Sequence, residues 1–188
     1  MSDYVSVAMI RPNLRHIPYR PLPRGFTLRL YRPGDRDVWV RIWQSADRGV
    51  GLLEQSKVGR ETFDANFGAD LKGMARRGYF LIGPDGLEIG MATAWYEYRY
   101  AGMHWGRLHW VAIVPEFQGK GLCKPMLSAV LNRMVELGHR RAMLGTQTVR
   151  LVAIKTYLDY GFVPDLSKKG SADAWKSVRD KLPHPALG

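Results

Sequence analysis

The sequence predicts a single mixed α/β domain, with helices packed on a sheet. Two observations carry this. Runs with strand alternation and runs with helical spacing follow one another in the order strand, two helices, three strands, helix, strand, helix, strand. The composition is that of an ordinary globular chain, 46% hydrophobic and 24% charged, and not of a disordered one. At 188 residues such a chain buries roughly 70% of its unfolded surface and needs no staples.

The elements follow in order. Residues 1–24 carry Pro12, Pro18, Pro21 and Pro23, which lack an amide donor and oppose helix, so an extended arm laid on the body is expected. "GFTLRLY" (Gly25 to Tyr31) alternates as a strand, and "RPGD" breaks the chain after it. Val38, Trp39, Ile42, Trp43 and Ala46 recur at helical spacing on one stripe. "GVGLLEQSKVG" reads as a loop. A second helix is expected from Thr62 to Arg76, with Phe63, Phe67, Leu71 and Met74 on one face. "YFLIGPDGLEIGMATAWYEYRY" reads as two strands around a Gly-Pro-Asp-Gly turn, and "GRLHWVAIV" (Gly106 to Val114) as a third.

A helix from Leu122 to Leu137 aligns Leu122, Met126, Val130, Met134 and Leu137. "RAMLGT" (Arg141 to Thr146) is a short strand. "RLVAIKTYLDY" (Arg150 to Tyr160) is a helix closed by Gly161, and "GFVPD" begins a last strand. Ser171 is placed to cap a short helix carrying Trp175, Val178 and Leu182. The chain divides into an arm (1–24), a domain (25–166) and a C-terminal helix and tail (167–188).

Charge and cysteine narrow the function classes. The 28 Lys+Arg against 17 Asp+Glu leave a net +11, which favours an anionic partner. The charge is spread along the chain, in pairs such as Arg76-Arg77, Arg140-Arg141 and Lys168-Lys169. A solvated surface is therefore favoured over a nucleic-acid groove, which needs clustered charge. A homodimer stays open. Cys123 is the only cysteine, so no intrachain disulfide or multi-cysteine metal site forms, and no metal is expected. A reducing, cytoplasmic setting is the simple reading. The N-terminal residues lack the apolar core of a signal peptide, and no apolar run approaches the ~18 residues of a membrane span.

The stretch "PEFQGKGLCKPML" stands where a strand hands over to a helix. Gly119 and Gly121 permit dihedrals that side chains forbid and remove atoms that would hold a ligand away. The amides of Gly119, Lys120, Gly121, Leu122 and Cys123 then have no partners inside the helix. With the positive helix end and Lys120 they form an anion cradle of a size and charge suited to pyrophosphate. Neither the Gly-x-x-x-x-Gly-Lys-Ser/Thr nor the Gly-x-Gly-x-x-Gly pattern is present. A plain strand-helix connection is the competing reading of two glycines alone.

"VAIVPEFQGKGLCKPML" resembles the acyl-CoA-binding motif of the GNAT superfamily of acetyltransferases, whose core is Gln/Arg-x-x-Gly-x-Gly/Ala. Here the core is Gln118, Gly121 and then Cys123, where the family usually has Gly or Ala. Downstream, "AIKTYLDYGF" (Ala153 to Phe162) resembles the family's Ala-(x)3-Tyr-(x)3-Gly-Phe helix. The two motifs stand in the family's order, with a helix and a strand between them, and the resemblance spans roughly residues 25–166.

The resemblance implies the GNAT fold, a mixed, mostly antiparallel sheet splayed in the middle and flanked by helices. It implies acetyl-CoA as co-substrate, with the pyrophosphate on the main chain of Gln118 to Cys123. The pantetheine arm would lie along Val111, Ala112 and Ile113, and Ala153 would leave room for the cofactor. It further implies transfer of an acetyl group to an amine by direct attack in a ternary complex. A catalytically silent module that binds an acyl-CoA, a nucleic acid or a protein is the alternative, and acyl groups other than acetyl stay open. Cys123 is compact enough to keep phosphate close and is not expected to act as a nucleophile. Arg150 stands where the family often has asparagine.

Amide formation from a thioester needs a neutral amine, a donor for the oxyanion and a proton for the leaving thiolate. Tyr157 matches the family tyrosine that protonates or hydrogen-bonds the departing sulfur. His109 resembles the general base of the arylalkylamine branch, and strand alternation would put it on one face with Arg107, Val111 and Ile113. Glu97, Glu54 and His104 are weaker candidates for the base. Each residue has a structural alternative: Tyr157 packed on the sheet, His109 bonded to backbone. Most of Trp95, Tyr96, Tyr98, Tyr100, Trp105 and Trp110 are expected in the core.

Overall fold

The computed structural model describes residues 4–46 and 58–187. Seven strands form one sheet: β1 (Ser6–Arg11), β2 (Thr27–Leu30), β3 (Gly78–Ile82), β4 (Glu88–Tyr100), β5 (Met103–Ile113), β6 (Ala142–Gln147) and β7 (Val163–Pro164). Their order is β2-β3-β4-β5-β6-β1-β7. Every neighbouring pair is antiparallel except β5 and β6, which run parallel. The sequence pattern predicts a mixed α/β sheet, and the mostly antiparallel order is what the family resemblance implies.

Helices α1 (Arg36–Ala46) and α2 (Arg60–Phe67) cover one face. Trp39, Ile42, Trp43 and Ala46 are buried, and the Trp43 indole N–H meets Met91 Sδ at 3.0 Å. Phe67 from α2 packs edge-on against Trp95 of β4, with ring centroids 5.0 Å apart. Helix α4 (Cys123–Glu136) covers the other face through Met126, Val130 and Met134, all fully buried. The fit there is close, since a Cβ on Gly106 of β5 would lie 2.9 Å from Met134 Sδ. Helix α5 (Leu151–Asp159) sits beside α4, and the Tyr160 hydroxyl just past its end donates to Lys124 O at 2.5 Å.

The structure departs from the sequence reading at four points. The proline-containing arm begins as a sheet strand: β1 pairs with β6 on one side and β7 on the other. Its apolar residues Val7, Ala8 and Met9 are buried, and the extended chain resumes only after Arg11. The buried Arg11 guanidinium ties that turn to the body by donating to Asn13 O, Arg15 O and Tyr160 O. The helix expected from Thr62 to Arg76 is broken by a 3-10 turn at Gly68–Asp70, and α3 (Leu71–Arg77) starts anew. Asp70 causes the break by accepting from Gly73 N at 2.7 Å as an N-cap.

The break turns Leu71 outward, 48% exposed, while Phe63, Phe67 and Met74 stay in the core. Gly170, not Ser171, is the N-cap of α6 (Ser171–Arg179), and the Ser171 hydroxyl donates backward to Lys168 O. Trp175 and Val178 are buried as expected. The loop "GVGLLEQSKVG", with Glu54, lies mostly outside the described residues.

Candidate active site

Strand β5 parts from β6 midway along its length. Among the described residues their pairing consists of Gly106↔Ala142 and Arg107↔Met143. Beyond these positions β5 stays on β4, through Met91↔Ala112 and Gly90↔Ile113, and leaves a gap on its β6 side. A cavity of about 440 Å³ opens there, lined by β1, β5 and β6 and by Trp43, Arg150, Tyr157 and Lys168. Within this gap Val111, Ala112 and Ile113 present main chain that β6 does not use.

The turn after β5 is organised by main-chain bonds. A 3-10 turn at Pro115–Phe117 reverses the chain, and Gln118 Nε2 reaches back to Ile113 O at 2.8 Å. Gly119 and Gly121 adopt left-handed φ of 72° and 75°, and a Cβ at either would meet nothing within 4 Å. Glycine is needed there for conformation rather than for space. The amides of Gly119, Lys120, Gly121, Leu122 and Cys123 find no acceptor among the described residues. Lys120 Nζ rests 4.6 Å from the Phe117 ring centre.

A bulge reshapes the side-chain wall. Thr93 and Met91 lie two apart on β4, yet their partners His109 and Ala112 lie three apart on β5. Trp110 absorbs the extra residue with φ 52°. Directly opposed residues share a face, so His109 and Arg107 fall with Ala112. The expected alternation of His109 with Val111 and Ile113 is thereby broken. The bulge also brings Trp110 against Trp39 and Trp43, at 4.9 and 4.7 Å between ring centres. Trp110 lines the cavity, Trp95 and Trp105 are buried, and Tyr98 is exposed.

His109 lines the cavity and is half-buried. Asn66 Nδ2 donates to Thr62 O at 2.8 Å, which turns Asn66 Oδ1 toward His109 Nε2 at 3.2 Å. That oxygen requires a proton on Nε2, so Nδ1 is the accepting nitrogen of the neutral ring. Burial, with the charge of Arg107 adding to it, pulls the imidazole pKa down to about 3. Sequence reasoning missed Asn66, because only the α2–β5 packing brings it to the histidine. Glu97 pairs with Arg107 at 3.5 Å, and His104 lies edge-on to Tyr98; neither lines the cavity.

Tyr157 is buried on α5 and borders the same cavity. No hydrogen bond of its hydroxyl is found among the described residues. Burial raises its pKa well above the usual phenol value, Cys123 adds to the rise and Arg150 opposes it. Burial likewise pushes the Cys123 thiol up to about 12 against the charge of Lys124, so it stays protonated and unsuited to nucleophilic attack. Ala153, one turn before Tyr157, is half-buried and small. Among the described residues no cluster of His, Cys, Asp and Glu could hold a metal, and no helix is long and apolar enough to cross a membrane.

Comparison with known proteins gives this arrangement its family. The model of the Acetyltransferase (GNAT) family matches residues 39–162. The chain belongs to that family. A mycothiol acetyltransferase of Pseudarthrobacter chlorophenolicus is 28% identical over 160 residues, covering 78% of this chain and 45% of that protein. The chain thus spans about half the length of the curated relatives it matches.

Among solved structures, a GCN5-related N-acetyltransferase from Sphaerobacter thermophilus superposes with a TM-score of 0.67 at 18% identity, over 86% of this chain and 50% of that one. A GNAT family acetyltransferase from Brucella melitensis, solved in complex with acetyl-CoA, gives 0.52 at 23% identity over 63% and 74%. The splayed GNAT sheet implied by the sequence motifs is therefore the fold observed. In this GNAT chain Cys123 opens α4, and Arg150 is the N-cap of α5.

Proposed function

We propose that the protein is an acetyl-CoA-dependent N-acetyltransferase that works by direct attack in a ternary complex. One observation supports this above the others: five consecutive amides without acceptors among the described residues open the helix that follows the splayed strand. Such amides, at the positive end of a 14-residue helix, suit a diphosphate. Lys120 adds charge, and the side chain of Gln118 holds the turn on β5. The pantetheine arm would lie along the β5 main chain at Val111, Ala112 and Ile113, on the side that β6 does not pair, and pass Ala153. The acetyl thioester would then reach the cavity beside Tyr157.

The lone pair of a neutral amine attacks the thioester carbonyl, the C–N bond forms and the C–S bond breaks. The departing sulfur carries the electron pair and takes the Tyr157 proton, which a phenol held protonated by burial can supply. The amine proton passes to His109 Nδ1. An imidazole held this weakly basic hands the proton on to water and acts as a relay, and the Tyr157 phenolate recovers a proton from that water, so both side chains end as they began. Placement of the amine beside the thioester supplies much of the acceleration. The products are an amide and free coenzyme A.

Calorimetry with acetyl-CoA, followed by thiol release across a panel of amines, tests the reading. Absence of any binding heat with coenzyme A species would end it.

A further inference from the structure

The cavity carries charge that the transfer chemistry does not use. Its described lining includes Arg107, Arg150 and Lys168 and no Asp or Glu. The three come from separate places: Arg107 from β5, Arg150 from the start of α5, Lys168 from the segment after β7. No residue of the turn from Gln118 to Cys123 lines this cavity. A diphosphate on that turn would therefore lie outside the reach of this cavity lining.

Arg107 is the most informative of them. Its Nε is shielded from solvent and has no hydrogen-bond partner among the described residues. Its Nη1 reaches Glu97 at 3.5 Å, the outer limit for such a bond. A shielded donor without an acceptor is costly, and an incoming oxyanion would relieve that cost with a charge-assisted bond. Lys168 Nζ has the Tyr100 ring as a neighbour, at 5.8 Å. His109 beside Arg107 is neutral, so it offers an acceptor without cancelling the positive field. A cationic acceptor such as a polyamine would meet like charge.

We propose that the acceptor amine carries an oxyanion of its own, a carboxylate or a phosphate, held by Arg107 and Lys168. This rests on the acetyl-transfer reading above and adds the class of acceptor to it.

Matched amines test it: O-phosphoethanolamine against ethanolamine, β-alanine against β-alaninamide, and spermidine as the cationic extreme. The readout is kcat/KM from thiol release, with acetyl-CoA affinity measured separately by calorimetry. In at least one pair the oxyanion member should be favoured by about tenfold or more, and spermidine should be slowest. The pair that responds tells phosphate from carboxylate. Lys168→Glu, at an exposed position, should erase or invert the preference while acetyl-CoA affinity stays within about twofold. Arg107→Gln should do the same, and Arg107→Lys should restore part of it. The inference is overturned if acetyl-CoA binds yet neither oxyanion-bearing amine is preferred or reacts, or if the preference survives both substitutions. If acetyl-CoA does not bind at all, the transferase reading falls first and takes this inference with it.

Discussion

The candidate site has two walls built by different means, one beside the cavity and one lining it. One is main chain: consecutive residues from Gln118 to Cys123, with amides turned outward by two left-handed glycines. The other is side chain: Arg107, His109 and Trp110 on β5, Trp43 on α1, and Lys168 beyond β7. The first wall depends on local dihedrals and presents main chain rather than side chains. The second depends on a bulge, a strand register and the seating of two helices. Substitutions should therefore act differently on the two walls, through cofactor affinity on one and through turnover and selectivity on the other.

The largest effect should come where the walls meet. Tyr157→Phe is expected to lower kcat by about 100-fold or more, the usual reach of a lost general acid. Acetyl-CoA affinity by calorimetry should move little, and an unchanged kcat would take Tyr157 out of its role. Next comes the main-chain wall. Gly121→Val forces a branched residue into the left-handed region, at about 1–2 kcal/mol, or roughly tenfold in affinity. The added Cβ has open space, so the loss should appear as weaker acetyl-CoA binding with the fold intact. Equal affinity in the variant would mean that the cofactor does not use this wall.

The side-chain wall is probed by acid. Burial pulls the folded His109 ring down to about 3, against the usual 6.5 of an exposed ring. Between those values only the unfolded chain binds the proton, so this residue subtracts stability as pH falls from 6.5 toward 3. His109→Gln should flatten that decline in a plot of melting temperature against pH. Parallel curves for the two proteins would show a solvated imidazole instead. Because the ring is already neutral at pH 7, the acid limb of the rate profile should follow the amine and should persist in the variant. The mildest probe is Cys123: with its thiol held near 12, alkylation at pH 8 should run at least about 100-fold slower than that of free cysteine. Rapid labelling would mean that the thiol is open and ionised.

Much of the fold is legible in the sequence because its signals are local. The stripe Met126, Val130 and Met134 forecasts the buried face of α4, and Gly161 closes α5 with φ 75° as expected. Leu71 fits the same helical spacing, yet the Asp70 cap restarts the helix and turns it outward. Strand β1 hides in plain view: "SVAMI" is an apolar run, but its partner residues 142–147 lie far along the chain, and four nearby prolines suggest an arm. The bulge at Trp110 leaves no local mark, and it decides which residues share a face with His109.

By itself the sequence determined the glycine turn, the helix that follows it and the aromatic stripe of α1, since each is set by dihedral preference or by period within a few residues. Only the tertiary structure decided that β5 parts from β6, that Asn66 sets the histidine tautomer and that three distant cations share one cavity. Those outcomes depend on register and packing between segments far apart in the chain, and no short stretch of residues encodes such distances.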